Sequence, residues 1–333
     1  MQRHPAWGLA LLLAATLLTA QCTPRAAQTP TVELKVAAIF PGVVTDADYN
    51  ALGYVALQEV AKEQGVQIAH SERVAVPDVE RVMREYVDQG FNVIWTHGGQ
   101  FISQTQKLAE EFPNVYFIGE TDAPVEGAPP NLWIIDRNFQ VGFYAIGALA
   151  ARLTQTGRVG YIGGLALPFS YAEVHAMRQA IRDAGLNVDL RTVWAGDFND
   201  PTKARQVADA LIADGVDVLV GSLNLGMLGV FEAAKAAPRR VWVTAKYTDK
   251  SEFAPDQYVT SVLYDFAGPL RAILDRIRAG ETGGYYPLGF DTGVALQFPL
   301  RNAPPELEEQ MRRISGELEA GRIQVTKDST PIR

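Results

Sequence analysis

From Val32 onward the chain alternates short, fully apolar runs with longer stretches whose apolar residues recur at helical spacing. Val36–Ile39 reads as a buried strand. Leu52, Val55, Ala56 and Val60 then share one face of a helix that Gly65 closes. Pro77 opens a second helix, with Val79, Val82, Met83 and Val87 inward and Gly90 at its end. Val93–Trp95, Val115–Ile118 and Leu132–Ile135 are the next strands. Continuous apolar strands separated by helices predict a parallel sheet covered on both faces.

After Asp136 the same grammar restarts. Helices are predicted near Val141–Leu153, Tyr171–Ala184 and Pro201–Ala213, with a further one before Val241. Strands are predicted at Val159–Ile162, Val188–Val193, Val218–Val220 and Val241–Thr244. A helix over 268–279, a Gly-rich turn at Gly283–Gly284, short strands near Leu288–Phe290 and Val294–Phe298, and a charged helix from Pro304 to Ala320 complete the chain. The halves share a phrase: "VDQGFNVIW" (Val87–Trp95) and "IADGVDVLV" (Ile212–Val220) both read as helix end, Gly, then buried strand. The expected fold is therefore α/β, with two doubly wound lobes. Ligands on such sheets bind beyond the carboxyl ends of the strands, so loops from both lobes face one cleft.

Size and charge narrow the function. A chain of 333 residues, 47% apolar, has length for about two domains. A net charge of −8 argues against a nucleic-acid partner, which wants a basic face. Cys22 is the only cysteine, which excludes an internal disulfide and a thiolate metal cluster. Its position is informative. Arg3 precedes an apolar run from Ala6 to Ala20, then Gln21 and Cys22. That run is too short to span a bilayer and suits a secretory signal. The cysteine after it resembles a bacterial lipobox, although Thr19-Ala20-Gln21 lacks the usual aliphatic residue and the small residue before Cys. The reading is a signal over 1–22, a lipidation candidate at Cys22, a polar tether over 23–32, and a protein working outside the cytoplasm.

Signatures of catalysis are missing from the sequence. It has no G-x-S-x-G elbow, P-loop or H-E-x-x-H motif. "GRVGYIGG" (Gly157–Gly164) has the wrong glycine order for a dinucleotide site and reads as a tight strand exit. His70, His97 and His175 share no ligand spacing, so neither a metal nor another cofactor is expected. The richer signal is "FPGVVTDADYN" (Phe40–Asn50), which leaves a buried strand with more aromatic and acidic groups than a turn requires. Asp48 reads mainly as the cap of the next helix and Asp46 as a ligand contact. Aromatics cluster at strand ends: Phe40, Tyr49, Trp95, Phe101, Phe169, Tyr171 and Tyr247. Together with Asn50, His97 and Asn224 in neighbouring loops, they favour a flat apolar ligand held between rings.

Six phrases in order carry a family resemblance over about Val36–Val325. They are "TDADYNALGY", "KLAEEFPNVYFIGETD", "FQVGFYAIGALAARLTQTGRVGYIGGLALP", "DPTKARQVADALIADGVDVLVG", "APDQYVTSVLYDF" and "GVALQFPLRNAPPELEEQMRRI" with "AGRIQV". The chain resembles the BMP-type (basic membrane protein, PnrA-like) substrate-binding lipoproteins of ABC importers. The resemblance implies a type I periplasmic-binding fold with hinge crossings near Asp136, Ser261–Tyr264 and Tyr285–Tyr286. It further implies an N-terminal lobe of 33–137 plus 262–284 and a C-terminal lobe of 138–261 plus 285–328. Known members bind purine nucleosides, purine bases or other heterocycles. By that resemblance Tyr49 is the stacking ring, Asn50 its polar partner, and Phe101 and Phe169 close the pocket. Phe40, Tyr247 and Tyr264 stand where nucleoside binders tend to place Asp, Asp and Lys. Lys246 and Asp249 flank the shifted position and are the candidates to substitute.

The resulting expectation is a lipid-anchored, monomeric solute-binding protein, not an enzyme. It would deliver a heterocycle to an ABC permease and ATPase. A sensory binding protein is the alternative, and a secreted hydrolase, which lacks a nucleophile–base pair, the weaker one. Cys22→Ser is expected to release the mature protein from the membrane. Equal membrane retention of the variant contradicts the anchor.

Overall fold

The computed structural model describes residues 33–332 apart from Pro124, so the expected signal, Cys22 and the tether lie outside the described residues. The first half runs β1 (Lys35–Ile39), α1 (Tyr49–Gln64), β2 (Gln67–Ser71), α2 (Val79–Asp88), β3 (Val93–Thr96), α3 (Ile102–Glu111), β4 (Tyr116–Thr121) and β5 (Leu132–Asp136). The second runs α4 (Phe139–Leu153), β6 (Arg158–Gly163), α5 (Pro168–Asp183), β7 (Asp189–Trp194), α6 (Pro201–Ala213), β8 (Val218–Ser222), α7 (Met227–Ala236), β9 (Trp242–Tyr247) and β10 (Tyr258–Tyr264). The chain then returns through α8 (Ala267–Arg278) and β11 (Gly284–Pro287) to the first lobe, and ends with β12 (Val294–Leu296) and α9 (Pro305–Glu319) in the second.

The two sheets have matching strand orders, β2-β1-β3-β4-β5-β11 and β7-β6-β8-β9-β10-β12. Every pairing is parallel except β10 with β12. The shared phrase occupies the same place in both lobes: α2 leads to β3 and α6 to β8, through Gly90 (φ +82°) and Gly215 (φ +92°). A left-handed turn of this kind favours glycine.

Some expectations need correction. The strand expected at Leu288–Phe290 is absent; β11 lies earlier, at Gly284–Pro287. Gly283 allows this, because a Cβ there would sit 2.5 Å from the Pro130 carbonyl oxygen and 2.7 Å from that of Leu132. Sheet membership also shifts the lobe boundaries. Residues 262–264 continue β10 in the C-terminal sheet, and 285–287 belong to the N-terminal one. Two strands and a helix escaped the pattern: β2, an exposed edge with no apolar run; β10, whose polar Thr260 and Ser261 are buried inside it; and α3.

One continuous core runs through both lobes, joining Val36, Trp95 and Trp133 to Leu149, Tyr161 and Val262. Helix α4 is at its centre and is buried along almost its whole length. It approaches α5 closely at Gly147, where a Cβ would meet the Met177 backbone at 2.6 Å. Gly147→Ala should therefore destabilise by overpacking, about 1–3 kcal/mol. Gly316→Ala in α9, where a Cβ meets nothing within 4 Å, should stabilise by about 0.5–1 kcal/mol through helix propensity. Denaturant melts of both variants check the contrast.

Candidate functional site

The carboxyl ends of β1, β3, β4 and β5 in one lobe face those of β6, β8, β9 and β10 in the other, across three chain crossings. The loop from β1 to α1 reaches across this cleft. Asp46 holds it in shape: its carboxylate accepts the backbone N–H groups of Asp48 (3.0 Å), Asn50 (3.2 Å) and Ala51 (2.9 Å) and the Asn50 amide (2.7 Å). Asn50 in turn accepts from the Gly42 N–H at 3.2 Å. The expected capping role of Asp48 is thus corrected. Asp46 supplies the cap, while Asp48 makes no capping bond and instead forms a buried ion pair with Lys250 of the opposite lobe. Sequence spacing puts both near the helix start; only the turn through Ala47 (φ +58°) decides which carboxylate points back.

Tyr49 begins α1 and is 8% exposed. Its ring stacks on His97, with centroids 4.0 Å apart, and its hydroxyl donates to Glu120 and accepts from Arg137 Nη1 at 2.9 Å. Burial above all pushes this phenol well above its ordinary range, which keeps it a donor. His97 sits between acceptors, with Nδ1 2.6 Å from Glu120 and Nε2 2.8 Å from the Tyr49 carbonyl. A Cβ at Gly53 would meet the His97 ring at 2.7 Å, so glycine lets α1 lie against it. Burial alone would raise Glu120, but the facing His97, Arg137 and Tyr49 hydroxyl together hold it below the usual carboxylate range.

On the other side, Lys246 and Tyr247 end β9. Neighbours in a strand point to opposite faces. Tyr247 leaves with φ +78°, rare for a bulky residue, and its ring lies 4.6 Å from Lys246 Nζ. Lys246 is buried and pairs with Glu173 at 3.0 Å, and Glu173 also accepts the Tyr161 hydroxyl at 2.6 Å. Burial pulls the Lys246 ammonium below its ordinary range, against the attraction of Glu173. Phe139, at the start of α4, packs edge-on to Phe169 and Tyr247 at centroid distances of 5.7 and 6.0 Å. Arg137 crosses the hinge beneath them, paired with Asp122 and 4.9 Å from the Phe139 ring.

Of the residues singled out by sequence, the structure gathers Tyr49, His97, Phe169, Lys246 and Tyr247 at the cleft. Phe40 and Trp95 are buried one layer behind, packed on His97 at 5.4 and 5.1 Å. Phe101 belongs elsewhere: its side chain is in the core on the outer face of the N-terminal sheet, with Ile94 and Leu108. Asn224 is half-buried in the loop after β8, and Asp249 is exposed and accepts the Ser251 N–H at 2.8 Å. Sequence reasoning missed Glu120, Asp122, Arg137, Phe139, Glu173 and Lys250. Glu120, Asp122 and Arg137 carry a readable signal, a charge at the carboxyl end of a buried strand. Glu173 carries none, since it sits in mid-helix. Among the described residues, no cluster of three metal-ligating side chains forms.

Two lobes of matching topology, crossed three times and closing on a polar and aromatic cleft, define a binding protein of the type I periplasmic-binding class. The chain belongs to the ABC transporter substrate-binding protein PnrA-like family, whose model matches residues 33–323. It is 25% identical over 293 residues to basic membrane protein A2 of Borrelia garinii, covering 85% of this chain and 86% of that one. It is 24% identical over 298 residues to a purine-binding protein of Brucella abortus, covering 87% and 82%. A solved ABC transporter solute-binding protein from Conexibacter woesei superposes with TM-score 0.73 at 25% identity, covering 88% of this chain and 99% of that one. The family consists of extracytoplasmic binding proteins, not enzymes. Among the described residues no helix is long and apolar enough to cross a membrane.

Asp48 gives the closed cleft a pH signature. Its burial outweighs the attraction of Lys250, and with Asp46 nearby and Lys246 further off its pKa is pushed up to about 7 from an ordinary 3.8. A folded pKa above the unfolded one means the stabilisation is complete below about pH 4 and is lost as pH rises towards 7. Asn cannot titrate, so the wild type should lose Tm relative to Asp48→Asn as pH rises across that window, with no further relative change above it. A difference independent of pH contradicts this assignment.

Proposed function

We propose that the protein closes its lobes on a purine base, a purine nucleoside or a similar flat heterocycle, and passes it to an ABC permease and ATPase while tethered through Cys22. The observation that carries the reading is the ring wall built by both lobes: Tyr49 from one side, and Phe139, Phe169 and Tyr247 from the other. Flat apolar faces with a few fixed polar groups suit a planar ring, and such stacking contributes about 0.5–1.5 kcal/mol per ring beyond area burial. The purine-binding relative in Brucella abortus supports the ligand class.

Base and nucleoside are separated by the carboxylates. Asp48, Glu120, Asp122 and Glu173 are each paired with a cation of the protein. Asp46 is spent on three backbone N–H groups and the Asn50 amide, so ribose hydroxyls would have to compete with these partners and the sugar gains little. Binding to the folded form alone stabilises by about 2.7 kcal/mol at roughly a hundred times Kd. A thermal-shift panel should thus show purine bases raising Tm as much as their nucleosides do. No shift with any purine or related heterocycle at about 1 mM would sink the reading.

A further inference from the structure

The charge balance of the cleft says what its ligand must look like. Arg137, Lys246 and Lys250, and His97 with both ring nitrogens against acceptors, face four carboxylates in four pairs, every member except Asp122 buried. A fifth buried carboxylate, Asp46, is met by three backbone N–H groups and the Asn50 amide. A charged ligand would add an uncompensated charge to a buried site, which is strongly unfavourable. The ligand is therefore neutral, and hydrogen-bonding capacity decides among neutral rings.

That capacity is unevenly spent. Arg137 gives Nε to Asp122 at 2.9 Å, Nη2 to the same carboxylate and Nη1 to Tyr49. Lys250 divides itself between Asp48 and Thr248. Both oxygens of Glu173 are taken, by Lys246 and Tyr161, and both of Asp122 by Arg137. Arg137 thus keeps two of its five N–H groups and Lys250 one of its three, while Lys246 keeps the larger share. An ammonium has three N–H donors, yet among the described residues its only hydrogen-bond partner is Glu173. The rings of Phe139 (4.7 Å), Tyr247 (4.6 Å) and Phe169 (5.2 Å) surround the remaining directions. They stabilise the charge through their faces without accepting two conventional hydrogen bonds. A side chain only 1% exposed thus holds unspent donors within the ring wall.

We propose that Lys246 reads a ring-carbonyl acceptor, so that the site selects a neutral oxo-heterocycle over its amino counterpart. This rests on the purine reading above. An exocyclic amine set against the ammonium faces donor with donor and leaves both buried groups unpaired, a loss equivalent to roughly tenfold to a hundredfold in affinity.

Calorimetric titration of the folded protein with hypoxanthine and adenine tests the selection, because the two rings differ at the carbonyl and its adjacent nitrogen. The wild type should bind hypoxanthine at least about tenfold more tightly. Lys246→Met combined with Glu173→Gln removes the donor without stranding a buried carboxylate, and should bring the two affinities together while ring binding persists. Equal affinities in the wild type overturn the proposal without any variant. So does a folded double variant that keeps the preference. If neither purine binds the wild type but other flat rings do, the ligand is not a purine and the selection falls with that reading; binding with the wrong preference defeats the selection alone.

Discussion

The structure depends on neutralising charge where two parallel sheets end against each other. Strand ends expose backbone groups and make room for polar side chains, and closing the lobes takes those side chains out of water. Removing one partner from a buried pair costs about 3–5 kcal/mol, because the other charge is left uncompensated. The protein answers by pairing within and across lobes. His97 with Glu120 and Arg137 with Asp122 lie on the N-terminal side and hinge, Lys246 with Glu173 on the C-terminal side, and Asp48 with Lys250 spans the gap. The last pair exists only when the lobes meet. It ties the binding loop's geometry to closure.

Backbone strain gathers at the same place. Ala47, Asn138 and Tyr247, at φ +58°, +40° and +78°, stand in the binding loop, at the first hinge crossing and at the end of β9. Such conformations cost of order 1–3 kcal/mol each and persist where surrounding contacts over-determine them. Here those contacts are the Asp46 cap, the Lys327 ammonium reaching Asn138 at 3.2 Å, and the aromatic packing around Tyr247. The crossing itself is braced from outside, where Tyr285 and Lys327 both bond Asp136. These contacts brace the hinge crossing and the binding loop in the arrangement in which the lobes meet.

Much of the architecture was legible because buried parallel strands are written as apolar runs, and the repeated Val87–Trp95 and Ile212–Val220 phrases mark equivalent junctions of the two sheets. The site was legible only in part. Tyr49, His97 and Tyr247 follow from their places at or just after strand ends, and Lys246 only from the family resemblance. Phe101 shared that position in sequence but turns to the opposite face of its sheet, into the outer core. The cap expected of Asp48 comes from Asp46, because a single left-handed residue between them redirects the chain. Lys250 and Glu173 were invisible, since their meaning comes from partners 202 and 73 residues away.

On this reading the paired charges and aromatic faces enclose a neutral flat ring. Native mass spectrometry of the protein purified from its own cells, followed by release and identification of whatever it carries, tests this most directly. An uncharged heterocycle of purine type is expected, retained by the folded protein and lost on unfolding. A sugar, an amino acid or a metal ion in its place would contradict it.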